Sequence, residues 1–399
     1  MKRKYIIFLT SFLLGLSLSG IAFAEGRGAL ANDLVGARAS VLGEAFVAVA
    51  DDASALRWNP ARLPLMLQPE LTASHVSLFS LGGYLDYSDN SGSINQDFIG
   101  VAIPNDTIPF GISLLSLWTS VPYTDEGGAF IQPRSYNERM LSISLGKQLM
   151  SGGFGVSSGA NINYLNVNGR SNYSSFGLDG GILLKTPGIL PDVGIAVKGI
   201  SSEIPIKLDF ALSLNPIRPL RLVGGVSKVM DSHTLQYSAG FEYLLRWLSP
   251  LNISFLSGYR GLGQIGSGSL RSDARDISTG LSIRLGRYKI DYAYERHSAI
   301  ADTHRITFGA FMDSLEGFYM KSARRAYNDL DDEKTIQELN ELIYFSPRNA
   351  EAYHLMAFSY ERMRQKAKAI EILRKIGGMD KEYYKKNNLE QLIQDINDQ

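Results

Sequence analysis

Apolar and polar residues alternate with a period of two along most of residues 70–312. Successive side chains of a β-strand point to opposite faces, so this alternation predicts half-buried strands. For example, Ile277 and Leu281 fall on one face of a predicted strand, while Ser278 and Ser282 fall on the other. The pattern predicts strands over 70–79, 97–104, 108–117, 137–150, 154–166, 175–185, 192–200, 205–214, 220–229, 234–247, 251–260, 276–285, 288–297 and 304–312.

The lengths of the connections indicate what surrounds these strands. Connections after odd-numbered strands include long ones, such as residues 261–275, whereas those after even-numbered strands are short, such as Gly286-Arg287. A soluble sandwich also alternates, but this asymmetry is typical of an outer-membrane barrel with its short turns in the periplasm. We therefore predict a membrane all-β protein, an antiparallel outer-membrane β-barrel of about 14 strands over residues 70–312, in contact with outer-membrane lipid.

The first residues have the features of a secretory signal peptide. Lys2, Arg3 and Lys4 precede an apolar stretch, and Ala22-Phe23-Ala24 forms a small-x-small cleavage site. The apolar stretch is shorter than the roughly 20 residues of a transmembrane helix. We expect residues 1–24 to be removed on export to a Gram-negative-type cell envelope.

Residues 316–399 hold 29 of the chain's 80 charged residues but only 3 of its 39 glycines. This composition predicts packed helices rather than strands. An earlier helical pair is expected over residues 316–346, and residues 381–397 are expected to form a capping helix. Between them the spacing resembles that of a tetratricopeptide repeat at seven positions: Tyr353, Met356, Ala357, Tyr360, Ala369, Leu373 and Ile376.

Repeats of this kind bind proteins or peptides more often than they catalyse reactions. We therefore expect a small all-α domain at residues 316–399, located in the periplasm, that binds a periplasmic protein. The candidate protein-binding residues of the repeat are Tyr353, Met356, Tyr360 and Ala369. In the alternative interpretation, the helices only close the periplasmic mouth of the barrel.

Charge and cysteine content exclude several classes of function. The chain carries 40 basic and 40 acidic side chains, which argues against a nucleic-acid-binding protein. It contains no cysteine, which excludes a disulfide framework, a thiolate metal site and thiol catalysis. We expect no cofactor, no metal ion and no nucleic acid among its partners.

Residues 25–69 precede the first predicted strand and do not alternate as a membrane strand does. Much of this segment reads GARASVLGEAFVAVADDASALRWNPARL, which is rich in small side chains. It turns at Asp51-Asp52 and again at Asn59-Pro60, where the proline disfavours a helical conformation of Asn59. Small side chains permit close packing of the backbone in a confined space.

This segment resembles the N-terminal signature of the PorV/PorQ family, which is related to the FadL-type fatty-acid transporters. The resemblance is carried by Gly36-Ala37-Arg38-Ala39, by the run from Gly43 to Ala55 and by Trp58-Asn59-Pro60-Ala61. It implies a fourteen-stranded barrel whose residues 25–69 fold into the lumen as a plug or hatch. By matching position it implies the hatch residues Asp51, Asp52, Trp58, Asn59, Pro60 and Ala61. Glu44 and Arg62 depart from the family pattern, in which glycine is usual.

The resemblance implies two alternative functions. FadL members take up hydrophobic molecules through the plugged barrel and release them sideways through an opening in the wall, whereas PorV-type members are outer-membrane partners in protein secretion. We expect a transporter of a hydrophobic small-molecule cargo, with a PorV-like role in secretion or surface assembly as the alternative. An apolar pocket beside Asn59 with a gap in the wall would favour transport, and a filled lumen would favour a protein partner.

The two adjacent aspartates also have two interpretations. Asp51 and Asp52 either hold the plug by pairing with basic residues of the inner wall or form a solvated turn. The basic residues considered for such pairing are Lys147, Lys185, Lys198 and Arg284. An acid/base role is not expected, because adjacent side chains usually point apart and no other group completes a site.

The motif His75-Val76-Ser77 raises the possibility of catalysis. It places a histidine and a serine on one face of the first strand, a spacing that is also seen in outer-membrane lipases. Nucleophilic catalysis needs a third group that orients the histidine and a site for the oxyanion, and the sequence identifies neither. We therefore expect a protein that is not an enzyme, with an outer-membrane lipase as a minor alternative.

Overall fold

Antiparallel strands form one closed barrel in the computed structural model. The structure describes residues 35–80, 93–105, 107–124, 130–151, 154–169, 172–200, 205–217, 219–230, 232, 234–245, 251–264, 275–296 and 302–398. Within these ranges the strands are β1 (Glu70–Ser80), β2 (Ser93–Ile103), β3 (Phe110–Thr124), β4 (Phe130–Met150), β5 (Gly155–Asn168), β6 (Tyr173–Lys185), β7 (Asp192–Ile200), β8 (Lys207–Ile217), β9 (Leu220–Val229), β10 (Thr234–Leu245), β11 (Leu251–Gln264), β12 (Arg275–Leu285), β13 (Tyr288–Arg296) and β14 (Thr303–Phe311).

The barrel is closed by pairing of its first and last strands. Each strand pairs with its neighbours in the chain, and β1 also pairs with β14, with His75 opposite Ile306. Closure leaves no strand edge exposed, which is required where a sheet lies in hydrocarbon. The predicted fold class, a fourteen-stranded antiparallel barrel followed by helices, is confirmed.

The two faces of the wall differ in polarity in the way that a membrane requires. Large apolar side chains such as Ile112, Ile143 and Phe255 are exposed on the outside. Their neighbours along the strands, such as Ser113 and Ser142, point inward and are buried. A soluble barrel would have polar side chains outside and apolar ones inside. The apolar outer face is therefore suited to contact with lipid.

Several strands are longer than the alternation predicts. The hairpin of β3 and β4 reaches Thr124 and begins again at Phe130, whereas the sequence predicts strand only to residue 117 and from residue 137. Pro122 and polar residues in this stretch obscure the alternation, and the β3–β4 register shifts between Val121 and Tyr123. The prediction for residues 1–24 lies outside the described residues.

The N-terminal segment lies inside the barrel, and we call its described residues 35–69 the plug. It consists of α1 (Ala37–Leu42), a first 3₁₀ helix (Gly43–Ala48), α2 (Ala55–Trp58) and a second 3₁₀ helix (Pro60–Leu65). The first 3₁₀ helix packs on β7 to β11, and the second packs on β4 to β6.

Glycines of the wall allow the plug to approach the strands closely. A Cβ atom added at Gly194 would lie 2.6 Å from the carbonyl oxygen of Val47, and one added at Gly146 would lie 2.7 Å from Cδ of Pro64. Gly159 and Gly258 are in still closer contact with plug backbone. Wall and plug are therefore matched in shape, since any larger side chain at these positions would displace the plug.

Six helices follow the barrel. They are α3 (Leu315–Asn328), α4 (Asp332–Phe345), α5 (Ala350–Arg362), α6 (Lys366–Met379), α7 (Lys381–Lys386) and α8 (Leu389–Asp398). Four of them begin after a polar residue that accepts a hydrogen bond from the backbone N–H three positions on: Ser314, Asp331, Asn349 and Asp380. Within the described ranges, none of the helices is long and apolar enough to cross a membrane.

Candidate functional site

Asn59 fixes the centre of the plug by hydrogen bonds in three directions. It is fully buried and extended, with φ −158°, as the following proline requires. Its Nδ2 donates to the carbonyl oxygens of Val47 (3.1 Å) and Ile182 (3.4 Å), and its Oδ1 accepts from the N–H of Ala61 (3.1 Å). One side chain thus ties two parts of the plug to strand β6.

Trp58 connects the start of the plug to its middle. Its indole Nε1 donates to the carbonyl oxygen of Val35 at 2.8 Å, and its ring meets Phe46 edge-on with 5.8 Å between centroids. Nζ of Lys198, on β7, lies 4.6 Å from the ring centroid on its face. This position suits a cation–π contact, so the indole joins the start and the middle of the plug to the wall.

Asp51 takes part in a four-membered ionic cluster. Arg38 pairs with Asp51 and with Glu242 of β10, the latter at 2.6 Å. Arg221 of β9 approaches the same two carboxylates at 3.3 and 3.0 Å. Two plug residues and two wall residues therefore balance one another's charge.

Asp52 makes both of the contacts that the sequence suggests for it. Its Oδ2 accepts from Nζ of Lys289 on β13 at 2.8 Å, and its Oδ1 accepts from the backbone N–H of Ser54 at 3.0 Å. Nζ of Lys289 also lies 3.4 Å from Asp291 and 3.9 Å from Glu70. The turn is thus a local Asx-type turn that is also ion-paired to the wall.

The basic partners of the aspartates are not the four residues considered from the sequence. Arg284 lies over the rings of Phe311 and Phe318, and Lys198 pairs with Asp209 at 2.8 Å. Lys147 is exposed. Arg38 is a local partner within the plug, whereas the wall partners Arg221 and Lys289 lie 170 and 237 positions from their aspartates, so only closure of the barrel identifies them.

Above the plug, the inner wall carries an apolar surface. We call it the lumenal apolar cluster, and it consists of Val35 of the plug with Phe98, Leu115, Leu117, Met140, Leu165 and Val167 of β2 to β5. These residues lie further from the short turns than Gly111, Gly146 and Gly159, which contact the plug. The cluster therefore faces the end of the barrel that carries the connections after odd-numbered strands.

At the opposite end, the plug and the helices enclose a charged cavity of about 470 Å³. Its walls include Arg62 and Arg38 of the plug, Lys185 of β6, and residues of α3 and α4. Arg325 of α3 donates to the carbonyl oxygens of Pro64 (3.2 Å) and Leu65. The helical domain thus covers the end with the short turns and touches the plug directly.

The candidate binding residues of the repeat lie inside the helical domain. Tyr353, Met356 and Ala369 are buried, and Tyr360 packs at the edge of the same clusters. They hold α5 and α6 together, as the positions of a tetratricopeptide repeat do. Three of the four are thus occupied in internal packing, and binding of a partner through this repeat stays a prediction.

A second polar site lies on the outer face of the barrel, and it adds to His75, identified from the sequence, two residues that the sequence did not reveal. His75 Nδ1 is 2.7 Å from Asp97 Oδ1, and Nε1 of Trp118 donates to Asp97 Oδ2 at 2.8 Å. Asp97 follows His75 by 22 positions across a long connection. The pairing of β1 with β2 brings them together, and no local motif indicates it.

Closed strands, an apolar outer face and a plugged lumen define the protein as an outer-membrane β-barrel. Among the described residues, no group of His, Asp and Glu is arranged to hold a metal ion.

Comparison with solved structures finds other barrels. A FadL homologue from Pseudomonas aeruginosa has 13% identity and a TM-score of 0.47, covering 69% of this chain and 97% of that chain. The toluene transporter TodX from Pseudomonas putida has 11% identity and a TM-score of 0.45, covering 73% and 98%. CdiB from Acinetobacter baumannii has 9% identity and a TM-score of 0.38, covering 61% and 60%. These similarities assign no function.

No protein-family model and no curated protein matches the chain. The resemblance to the PorV/PorQ family therefore stays a prediction.

Proposed function

We propose that this protein is a plugged outer-membrane channel that transports hydrophobic small molecules. The observation that carries the proposal is the lumenal apolar cluster. The inner wall of a water-filled barrel is polar, whereas β2 to β5 here direct Phe98, Leu115, Met140 and Leu165 inward above the plug. These side chains pack against Val35 and are at most 4% exposed, so an apolar molecule reaches them, and gains free energy by leaving water, only when the start of the plug moves aside.

The plug is suited to act as the gate of this channel. Its contacts with the wall include directional polar ones, among them those of Asn59, Asp51 and Asp52. Bulky plug side chains such as Trp58 and Phe46 are also fully buried. Movement of the plug would therefore break polar contacts and uncover apolar surface, so gating would shift only part of the segment.

The charged cavity below the plug makes it less favourable for an apolar cargo to leave through the end of the barrel with the short turns. The lining of this chamber includes Phe311 and Phe318, but charged side chains such as Arg62 make it less favourable for an apolar molecule than the lipid outside the wall. The β6–β7 ladder is irregular between Leu178 and Gly180, close to the Asn59 contact with β6. Exit sideways through this part of the wall is the route that we propose.

Binding of cargo is tested by changing the lumenal apolar cluster. The full chain, purified in detergent, is titrated with palmitate and with dodecane, and the Leu115→Asn, Leu165→Asn double variant is compared with it. The two introduced asparagine side chains place polar groups inside the apolar cluster. They are expected to weaken binding of both probes by at least about tenfold. Ser213→Ala, a change on the inner face of β8 away from the cluster, is expected to bind both probes as the parent does.

Gating is tested in a Gram-negative host that lacks its own long-chain fatty-acid channel. Uptake of palmitate through the parent is compared with uptake through the Asn59→Ala, Pro60→Ala variant, and molecules that co-purify with each are identified by mass spectrometry. A change in uptake with a defined bound species supports transport. If both chains bind nothing above the detergent background and transport no palmitate, the proposal is wrong and a role in secretion or surface assembly takes its place.

We also propose that the helical domain has a periplasmic protein partner. Its outer surface is rich in charge, and its repeat positions are used for packing within the domain.

This proposal requires that the end of the barrel with the short turns faces the periplasm. A protease-accessibility assay on intact cells checks it, since cleavage within α3 to α8 by externally added protease would contradict it.

A further inference from the structure

A polar cluster lies on the outer face of the barrel where the wall is otherwise apolar. His75 and Trp118 are exposed on this face, and 47% of the Asp97 side chain is exposed. Ile99, on the same face closer to the short turns, and Ile306, opposite His75 on β14, are exposed apolar side chains. Ionisable groups that face lipid are costly, so a bonded histidine–aspartate pair at this position calls for a functional explanation.

The bond to Asp97 determines which nitrogen of His75 can act as a base. A carboxylate only accepts hydrogen bonds, so the proton shared in the 2.7 Å contact belongs to Nδ1 of the neutral imidazole. Nε2 is then the unprotonated nitrogen that accepts a proton from a nucleophile. The bond from Trp118 to the second oxygen of Asp97 holds the carboxylate in place.

Ser77 carries an exposed hydroxyl beside His75. It follows His75 by two residues on the same exposed face of β1, about 7 Å further along the strand. Their side chains occupy consecutive outward positions of the strand. A serine, a histidine and an aspartate, the residue types that nucleophilic hydrolysis uses, thus share one exposed face.

The register of β1 with β2 places an amide next to this serine. Asn95 is directly opposite Ser77, and it shares the outward face with Asp97 because two residues separate them. Cβ atoms of such cross-strand pairs are about 5 Å apart. Asn95 is only 6% exposed in this structure, so donation to an oxygen bound at Ser77 requires its side chain to turn outward.

The height of the cluster indicates what it meets. His304 lies opposite Ser77 on β14, and its Nδ1 is 2.7 Å from the hydroxyl oxygen of Tyr292. Tyrosine, tryptophan and histidine side chains mark the level where hydrocarbon passes into lipid headgroups. Acyl ester bonds of membrane lipids lie at this level, so an ester in the outer leaflet would be presented to Ser77.

We propose that Ser77, His75 and Asp97 form a lipid-facing site that hydrolyses esters of long-chain carboxylic acids, with Asn95 as the donor to the oxyanion. This activity goes beyond the proposed transport and uses none of the same residues. Trp118 and Asp97 position the histidine, and Ser77 and His75 are the catalytic residues.

The reaction consumes water and needs no other co-reactant. Ser77 Oγ attacks the acyl carbon while Nε2 of His75 takes the hydroxyl proton, and the imidazolium returns that proton to the departing alcohol as the carbon–oxygen bond breaks. Water then gives a proton to His75 and attacks the acyl–Ser77 ester, and His75 returns that proton to Ser77 Oγ as the acyl–oxygen bond breaks, which releases the carboxylic acid and regenerates the serine. Asp97 stabilises the imidazolium in both steps.

The test uses the full chain in mixed micelles with p-nitrophenyl palmitate and, separately, a fluorophosphonate that labels activated serines. The parent is expected to hydrolyse the ester and to carry the label on Ser77, located by mass spectrometry. Ser77→Ala and His75→Asn are expected to lower the rate at least about a hundredfold. Ser116→Ala, an alternative hydroxyl on the neighbouring strand β3, is the matched control and is expected to retain the full rate.

The positioning role of Asp97 has its own readout. Asp97→Asn is expected to lower kcat with little change in KM, and Asp97→Glu is expected to restore part of it. A structural role alone would lower the amount of folded barrel, which heat-modifiable migration on a gel measures for every variant. Restoration by glutamate without a change in folded amount therefore supports positioning.

Vesicles of two compositions distinguish the source of the ester. Fatty acid released from phosphatidylethanolamine vesicles identifies a phospholipid, whereas release only from vesicles that contain lipid A identifies the lipopolysaccharide anchor. The proposal is overturned if Ser77→Ala hydrolyses p-nitrophenyl palmitate as fast as the parent, or if the label resides on another residue. In that case the cluster is part of the interfacial girdle only.

Discussion

Asn59 shows how one buried side chain can determine the position of a whole segment. Its amide uses both donors and its oxygen on backbone groups, two in the plug and one in β6. Those backbone groups lie where water cannot replace the lost bonds. The position therefore needs an amide of this length.

Substituting Asn59 is expected to loosen the plug while the barrel stays closed. Asn59→Ala leaves buried carbonyl groups without a partner, which costs about 1–3 kcal/mol. Hydrogen exchange of peptides from residues 37–65 measures the effect, and faster exchange than in the parent is expected there but not in β1 to β14. Asn163→Ala serves as the control, because that buried asparagine accepts no hydrogen bond at Oδ1 within the described residues. Equal protection of the plug in both variants would show that Asn59 does not anchor it.

Lys289 is expected to stabilise the plug more than Arg221 does, although each pairs with a plug aspartate. Lys289 is 7% exposed and serves three carboxylates, whereas 27% of the Arg221 side chain is exposed. Lys289→Met leaves uncompensated buried charge and is expected to destabilise the plug by about 3–5 kcal/mol, with a smaller loss for Arg221→Met. Thermal unfolding monitored by plug proteolysis gives the ranking. Adding Asp52→Asn to Lys289→Met is expected to recover part of the loss, and a further loss would contradict the assignment.

At the scale of elements, glycines in the wall determine where the plug can sit. A methyl group at Gly159 would meet the backbone of Pro60 and Ala61, whereas at Gly224 the nearest atom would be 4.0 Å away. Gly159→Ala is therefore expected to displace the second 3₁₀ helix and increase palmitate uptake. Gly224→Ala, a control of the same chemistry in another strand, is expected to leave uptake unchanged. Uptake in the host described above checks both, and equal uptake by the two variants would contradict the fit.

The helical domain is expected to lose stability in mild acid because of His354. Its ring packs at 4.6 Å from the Phe358 ring and its Nδ1 lies 3.2 Å from the Tyr383 hydroxyl, and burial lowers the pKa of His354 below its ordinary value. The unfolded domain then binds a proton more readily than the folded one, so stability is retained above about pH 6.5 and falls as the pH drops below it. Circular dichroism of the full chain between pH 7.5 and 5 measures this loss. His354→Gln is expected to make the helical transition less dependent on pH, and His304→Gln, on the barrel, is not.

The strands could be predicted from the sequence because each has a local pattern. The contacts between distant residues could not, because they depend on how the barrel closes. Alternation identified the strands because lipid outside and polar side chains inside impose it on every strand, as in the segment with Ile277 and Ser278. The pairing of Arg38 with Glu242 joins residues 204 positions apart and depends on the order of strands around the barrel. Asp97 was missed for the same reason. The sequence presented His75 and Ser77 together, and only the register of β1 with β2 added the third group.

At the scale of the whole molecule, the two ends of the barrel differ in chemistry. One end presents the lumenal apolar cluster, and the other is covered by α3 and α4 around a charged cavity. The contact of Arg325 with the carbonyl oxygens of Pro64 and Leu65 links the helical domain to the plug. A partner that binds the helices would therefore act on the plug without entering the barrel.

The close fit of plug to wall also constrains how the molecule is assembled. Plug atoms lie directly against Gly146, Gly159, Gly194 and Gly258 of β4, β5, β7 and β11, which leaves no room for side chains between plug and wall. We therefore expect the seam between β1 and β14 to close around a plug that is already in place. The N-terminal segment would then act as a template around which the barrel closes. Chains without it are expected to insert into membranes more slowly and to form wider, ion-conducting pores in planar bilayers.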